Sequence, residues 1–563
     1  MGRYKTPALV LLLSASLAAG GCEKKKESGP GPQTAAQAAA YAKRDYAPDD
    51  FGDVFMEGSI GDASNLLPYL AKDSSSSEIK NKLFSSLMTT DKDQNLIPDL
   101  ARSWEISEDQ RTITFHLRDD VKWHDGKPWT SADLKYQYEM MIHPDVQSAY
   151  KDTFFQMEGV QTPDAHTFIV TFKEPFAPGL TELSGMGGLP THLLKDTKPA
   201  DLIKSPLARN PVGNGPWKFV SWDTQQSIIL EANVGHYNQP RIHRYVMRII
   251  PDLAVQFLEL KAKKIDNMGL KPLQYLKQTD TSFFKDNFEK YKYLGQGYTY
   301  MGYNLKRPLF QDKRVRQALT YAINKQEIVD AALLGLGVPA TGPIKYGTWA
   351  YKDDVKRYPY NPAMAKQLMD EAGWKDTNGD GVLDKDGKPF EFEIITNQGN
   401  DVRKNSAQVI QQNLKRIGVT AKLRVIEWSA FINNFINKRD FDAVILGWGL
   451  GLDPDPYPIW HSSKTGEHEF NFVSFTSAEV DELLEKGRRT FDLEKRKEYY
   501  WRFQDILAEE QPYTFLYVPE ALPIVSKRIR DIVPGAAGIG YNFEQWWVPK
   551  QEHLRNHQAV ITE

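Results

Sequence analysis

Residues 440–461, DFDAVILGWGLGLDPDPYPIWH, join a strongly apolar run to a rigid turn dense in functional residue types. Phe441 to Trp448 is short, apolar and β-branched, the pattern of a buried strand of the parallel-sheet kind. Gly449 and Gly451 let the backbone turn away and approach something closely, while Pro454, Pro456 and Pro458 fix φ at alternate positions and remove three N–H donors. The strand must therefore end here. The turn presents Trp448, Asp453, Asp455, Tyr457, Trp460 and His461, a set of π faces, carboxylates and an imidazole suited to holding a polar ligand against flat surfaces. From these residues alone an irregular loop whose aromatics cover core is an equal alternative.

A chain of 563 residues exceeds one core and divides into roughly three units of ordinary domain size. Hydrophobic content of 41% and charged content of 25% are those of soluble globular proteins. The 70 basic and 73 acidic residues leave a net charge of −3, which argues against a nucleic-acid partner. With 13 Trp and 26 Tyr, the chain can furnish a large recognition surface as well as a core.

The first residues read as an address. Arg3 and Lys5 form a positive region, Ala8 to Ala19 an apolar one, and Ala19, Gly20 and Gly21 a small-residue cleavage site before Cys22. The apolar run falls well short of the roughly twenty residues that a bilayer requires. Cys22 is the only cysteine, so no internal disulfide forms. Its setting resembles the lipobox of bacterial lipoproteins, with Ala19 where that pattern usually has Leu. The resemblance implies a signal peptide over 1–21, lipidation of Cys22, and a soluble body anchored to the outer face of a membrane. An ordinary signal peptide with an incidental cysteine is the other reading. Residues 22–50, charged and then Gly/Pro- and Ala-rich, cannot bury enough apolar surface to fold and read as a tether.

From Phe51 onward strand and helix signals alternate. Thr112 to Leu117 and Phe168 to Phe172 alternate apolar and polar residues, as half-buried strands do. Between them, Thr130 or Ser131 caps a helix through Tyr138. Over Asp312 to Leu333, Val315, Ala318, Leu319, Ala322 and Ile323 form one stripe behind an Asp312 cap. Ala407, Ile410, Leu414 and Ile417 form another stripe that stops at Gly418, ahead of a β-type run from Thr420 to Ile426. Thr476 and Glu479 fit a capping box before Val480, Leu483 and Leu484. This is an α/β plan of more than one lobe.

Five stretches resemble, in order, the family-5 extracellular solute-binding proteins, the large peptide-binding components of bacterial ABC importers. They are LFSSLMTTDKDQNLIPDLARSWEISEDQRTITFHLRDDVKWHDGKPWTSADL (83–134), NPVGNGPWKFVSWDTQQSIILEANVGHY (210–237), YNLKRPLFQDKRVRQALTYAINKQEIV (303–329), residues 360–374, and the 441–460 run. The resemblance implies an α/β, two-lobed periplasmic-binding-protein-like fold (type II) with an extra domain and hinge closure around ligand. Lobe I is expected over 51–77, 210–298 and 518–549, the extra domain over 78–209, lobe II over 299–517, and a C-terminal tail over 550–563.

It also implies a role: capture of oligopeptides outside the cytoplasmic membrane, in the periplasm or at the cell surface, and delivery to an ABC permease with cytoplasmic ATPases. No cofactor and a monomeric state go with it. Carried over by position, Asp62, Ala63 and Ser64 match the lobe I strand beside the ligand, and Trp428 and Trp448 the lobe II aromatics that flank it. Gly451 stands where short-peptide binders carry an aspartate for the α-ammonium, and Phe435 and Ile445 where some carry arginines for the carboxylate. Asp453 or Asp455 then becomes a candidate to pair a cation. Longer peptides and a non-peptide solute such as an oligosaccharide stay open, as does a sensor that reports occupancy to a signalling partner.

Asp376, Asn378, Asp380, Gly381 and Asp384 occupy positions 1, 3, 5, 6 and 9 of an EF-hand-like loop, which makes them a weak calcium candidate. Gly387 stands where the bidentate glutamate is needed, and a hairpin turn explains the same residues. The sequence contains no H-E-x-x-H, G-x-S-x-G or P-loop, and its 11 histidines are scattered, so no catalytic constellation emerges. A lipid-anchored hydrolase using a carboxylate pair such as Asp453 and Asp455 is the alternative from another class.

Overall fold

A computed structural model describes residues 51–554 except 71, 72, 149 and 468. Cys22, the signal region and the tether lie outside the described residues. Two large sheets dominate. The first has seven strands in the order Phe288–Lys290, Pro523–Ser526, Asn267–Gly269, Gly52–Ser59, Ile242–Ile249, Ser227–Ala232 and Trp217–Asp223. The second runs Tyr293–Leu294, Tyr513–Ala521, Gly297–Tyr303, Ala443–Gly449, Glu391–Asn397 and Thr420–Ile426, with Gly337–Pro339 also paired to Tyr513–Ala521. A four-stranded antiparallel sheet, Ala101–Ile106, Thr112–Leu117, Thr167–Phe172 and Met157–Asp164, forms the extra domain.

The apolar clusters show how these units combine. One cluster runs unbroken from Phe55, Trp217 and Tyr245 on the first sheet through Leu83 and Trp123 to Phe115 and Phe168 of the four-stranded sheet. The extra domain is thus fused to lobe I through a common core. Lobe II keeps its own clusters, one on each face of its sheet. The chain passes between the large sheets twice, from Lys290 to Tyr293 and from Ala521 to Pro523. Two short crossings between the lobes are the construction of a hinge.

Where the 440–461 run folds, Ala443–Gly449 lies inside the lobe II sheet, parallel to Glu391–Asn397 and antiparallel to Gly297–Tyr303. Its apolar residues alternate between two cores, which is why the sequence shows an unbroken apolar run: Ile445 faces one cluster, Val444 and Leu446 the other. Gly297 is needed opposite, since a Cβ there would sit 2.0 Å from the Trp448 carbonyl oxygen.

Helix boundaries depart from the pattern in two places. The 312–333 stripe is two helices, Lys313–Ala322 and Lys325–Ala332, because the Asn324 side chain accepts from Glu327 N–H and starts a new helix. Ser477, not Thr476, caps Ala478–Arg489, accepting from Val480 N–H at 3.3 Å. The expected helix after Thr130 is present as Ser131–Ile142, with the Asp133 carboxylate accepting from Thr130 N–H at 3.0 Å. The EF-hand-like loop is built from turns. Asp376 accepts from the N–H groups of Gly379 and Gly381, Asp384 from the N–H and hydroxyl of Thr377, and Asp384–Lys385 pairs with Lys388–Pro389 as a hairpin. The carboxylates therefore serve the loop's own amides instead of converging on one point.

The 83–134 and 210–237 stretches meet at His124. Its Nε2 donates to the Gly215 carbonyl and its Nδ1 accepts from Gly213 N–H, each at 3.1 Å, and a Cβ on Gly213 would fall 1.9 Å from the Leu83 oxygen. Burial pushes His124 down to about 4 and His236 down to about 3. Both are neutral in the native protein, whereas the unfolded chain protonates them below about pH 6.5. Their contribution to stability is full above that pH and is lost as pH falls from about 6.5 toward 4. Glu57, raised by burial to about 7, works in the opposite direction over the same range. A difference measurement separates them: His236→Asn is expected to lose less melting temperature than the parent between pH 7 and pH 4.5. Parallel losses in the two proteins would show that His236 carries none of the acid sensitivity.

Candidate functional site

The lobes face each other across the loop that follows Ala443–Gly449. Gly451, Leu452 and Asp453 line a cavity of about 360 Å³ whose other wall is Tyr69, Ser77, Lys80, Phe84, Tyr150 and Glu182 from lobe I and the extra domain. A second cavity of about 260 Å³ shares those loop residues and is lined from lobe II alone, by residues 448–456, Pro458 and Trp460 and by Ile344, Lys345 and Phe470. Polar contacts cross between the lobes around them. Lys464 meets Asp152 at 2.5 Å, Arg489 meets Glu174 at 2.5 Å, Ala177 N–H donates to the Arg488 carbonyl at 2.7 Å, and Lys271 meets Asp401 at 2.9 Å.

Trp448 is half-buried and lies beside Tyr300, the rings 6.3 Å apart and nearly parallel, with Phe470 and Phe472 within 5.7 Å. Its indole N–H donates to the Tyr513 hydroxyl at 3.4 Å. Gly449 and Gly451 have ordinary φ values, and an added Cβ at Gly449 would meet nothing within 4 Å. Their use is to leave the cavity wall open.

The two aspartates of the loop are already paired. Arg496 holds Asp453 through two bonds of 2.6 Å, and Arg488 Nε donates to Asp455 at 2.7 Å. Burial pushes the Asp453 carboxyl upward, and the Arg496 bonds oppose it. A bidentate Arg–carboxylate pair of this kind fixes the loop. Asp453 and Asp455 therefore do not stand ready to take a ligand cation, and no hydrolytic pair is free here. Arg488 also lies 3.7 Å above the Tyr457 ring, which in turn stacks on His461 at 4.1 Å. Trp460 is fully buried beside Tyr513, and His461 is 7% exposed with Nδ1 2.8 Å from the Ser463 hydroxyl. Trp460 packs in the lobe II core and also lines the smaller cavity, whereas His461 lines neither cavity, so for His461 the alternative of a loop covering core holds.

Other positions carried over by resemblance fall differently. The Asp62 carboxylate accepts from Trp222 Nε1 and Gln225 N–H, each at 2.8 Å, and from Ala63 N–H at 2.9 Å. Ser64 N–H donates to the Ser76 hydroxyl at 2.7 Å, and Ala63 is buried. The Asp62 carboxylate thus ties its segment to the turn between Trp217–Asp223 and Ser227–Ala232, and the Ser64 hydroxyl, donating to Asp73, braces the start of helix Ser74–Leu83. Trp428 is 52% exposed, lies 6.0 Å from Phe431 and lines neither cavity. Ile445 is fully buried in the lobe II core, so an arginine at that position could not reach the cleft. Phe435 sits 4.8 Å below the Arg424 guanidinium.

Two charged residues of the cleft, and a third beside the Trp448 strand, escaped the sequence reading. Lys80 and Glu182 line the larger cavity. Desolvation by the cavity walls pushes the half-buried Lys80 down to about 8 and raises Glu182, whose side chain stays exposed, above the usual carboxylate range. Arg403 donates to the Asn397 side-chain Oδ1 at 2.8 Å near the end of the Trp448 strand, and burial lowers its pKa. None of the three lies in a motif with recognisable spacing, so only the fold brings them forward.

Trp448→Ala is expected to weaken ligand binding about tenfold and to cost about 2 kcal/mol of stability, because the ring serves both the cavity and the Tyr300 stack. Trp428→Ala is expected to stay within about 0.5 kcal/mol of the parent. Calorimetric titration beside urea unfolding checks both; equal effects of the two substitutions on affinity would contradict the placement of Trp448.

The profile of the bacterial extracellular solute-binding proteins, family 5 (middle region), matches residues 95–469. The chain is 34% identical over 560 residues to the oligopeptide-binding protein AppA of Bacillus subtilis, covering 98% of this chain and 100% of that protein. The structure of that AppA with a nonapeptide superposes with a TM-score of 0.80 at 34% identity, over 89% of this chain and 99% of that one. NikZ of Campylobacter jejuni, solved with Ni(L-His), gives a TM-score of 0.78 at 30% identity, over 89% of this chain and 100% of that one. With two lobes, an extra domain fused to the first, and a cleft at the strand ends between them, the chain belongs to the family-5 bacterial extracellular solute-binding proteins.

Proposed function

We propose that this protein captures oligopeptides in the cleft between its lobes, outside the cytoplasmic membrane, and delivers them to an ABC permease driven by cytoplasmic ATPases. The carrying observation is the cavity between lobe I with its extra domain and the Gly451–Asp453 loop of lobe II, walled by Tyr69, Phe84 and Tyr150, which shares that loop with a second cavity of lobe II lined by Trp448. Such a cleft holds an extended chain through main-chain bonds and leaves room for varied side chains. The name of the Bacillus relative favours peptides over sugars. We take the lobes to divide as the sheets do, at 291–292 and at Leu522, so that closure bends two short connections. Trp448, Gly449, Gly451 and the paired Asp453 form the lobe II wall in this reading. Binding, not turnover, is the activity, the protein acts as a monomer, and a lipid on Cys22 keeps it beside its permease.

Thermal shift with a series of peptides of two to nine residues, beside malto-oligosaccharides of matching size, tests the substrate class. Peptides are expected to raise the melting temperature in a concentration-dependent way. Stabilisation by the sugars alone would contradict the reading, and appearance of cleaved peptide would point to the hydrolase alternative.

A further inference from the structure

We propose that Lys80 and Glu182 are the charge anchors of the cleft, Lys80 receiving a ligand carboxylate and Glu182 a ligand ammonium. This deepens the peptide reading and rests on it. Lys80 lies on helix Ser74–Leu83 and Glu182 on helix Gly179–Ser184, and both line the cavity that the Gly451–Asp453 loop closes from the other lobe. The i,i+4 partner of Glu78 on the same helix is Lys82, at 2.7 Å, so that carboxylate is engaged elsewhere. Among the described residues the Lys80 ammonium has neither a carboxylate within ion-pairing distance nor a hydrogen-bond acceptor. A cation that loses water without gaining a partner is costly, and burial accounts for its lowered pKa. An anionic group arriving with the ligand would remove that cost.

Glu182 presents the converse case. Its one hydrogen bond is from the Thr153 hydroxyl at 3.1 Å, and it has no cation within ion-pairing distance among the described residues. The charges it senses across the cleft are Asp455, Asp453 and Arg488. Because Asp453 is matched by Arg496 and Asp455 by Arg488, the surplus charge on this side of the cavity is the single negative charge of Glu182. Tyr69 and Tyr150, rings 6.2 Å apart, line the same cavity and supply π faces that favour a nearby ammonium. Opposite unmatched charges in one cavity select a ligand with a separated amine and carboxylate. That is the charge pattern of a short peptide with free ends, and not of a neutral sugar.

The test uses the full-length protein and tetraalanine in four forms: free, C-terminally amidated, N-acetylated and doubly capped, each titrated calorimetrically. In the parent, each cap is expected to weaken binding about tenfold, as loss of a charge-assisted hydrogen bond does. In Lys80→Met the free and amidated forms should bind alike, and in Glu182→Gln the free and N-acetylated forms should bind alike, with melting temperatures near the parent's. Full cap penalties in both variants overturn the anchor assignment. So does a carboxylate penalty that survives in Lys80→Met but vanishes in Arg403→Gln. If the parent binds none of the four forms, the peptide reading itself fails, and the anchors fall with it.

Discussion

Replacing Arg496 by leucine is expected to destabilise lobe II by about 3–5 kcal/mol, the range for breaking a buried ion pair by removing one partner. The Arg496 side chain is 3% exposed and Asp453 10%. The guanidinium also donates to the Gly487 carbonyl at 2.9 Å and reaches the Tyr500 hydroxyl at 3.0 Å. Leucine leaves Asp453 buried without its cation and the Gly487 carbonyl without its donor. The loop from Gly451 to Asp455 would lose the fixed end that holds it against the cavity, so ligand affinity should fall with stability. The double variant Asp453→Asn/Arg496→Leu should recover part of the stability, since it removes the uncompensated charge. Urea unfolding of both variants checks this. An Arg496→Leu protein within 1 kcal/mol of the parent would show that the loop is held by other contacts.

Arg528→Leu should be comparably damaging, by about 3–5 kcal/mol, in lobe I. Arg528 is 6% exposed and faces two carboxylates that are almost wholly buried, Asp53 at 0% and Asp266 at 2%. It donates to Asp266 at 2.9 and 2.7 Å, to the Val54 carbonyl at 2.8 Å, and to Asp53. One guanidinium thus joins the first strand, the residue ahead of Asn267–Gly269, and the chain just after its return from lobe II. Its loss leaves two anions in the core. Because the cluster is buried, the deficit should persist at 1 M salt, where exposed pairs are screened. A deficit that disappears with salt would place the effect on the surface instead.

These two clusters also mark where the sequence stopped being informative. Strand Ala443–Gly449, the helix after Asp312 and the end of Asp401–Lys415 near Gly418 were legible because apolar period and capping are local properties. The break at Asn324 was masked by an apolar stripe that continues across it. Partners far apart in sequence were not legible: Arg496 for Asp453, Arg528 for Asp53, Gly297 against Trp448. Asp453 and Asp455 therefore looked like free carboxylates, and Trp460 and His461 like exposed ones among the aromatics. Resemblance supplied the lobes and the family, and at Ile445, where some relatives carry an arginine, the side chain lies in the core. Lys80 and Glu182 carry no local signature at all. Their interest comes from lacking what Asp453 and Asp455 have, a matching charge.

Mass spectrometry of what is released on denaturing the freshly purified protein tests the central claim most directly. A set of mixed peptides of similar length, reduced in the Trp448→Ala preparation, is the result the two-lobed peptide cleft predicts. A single non-peptide species in the parent would contradict it.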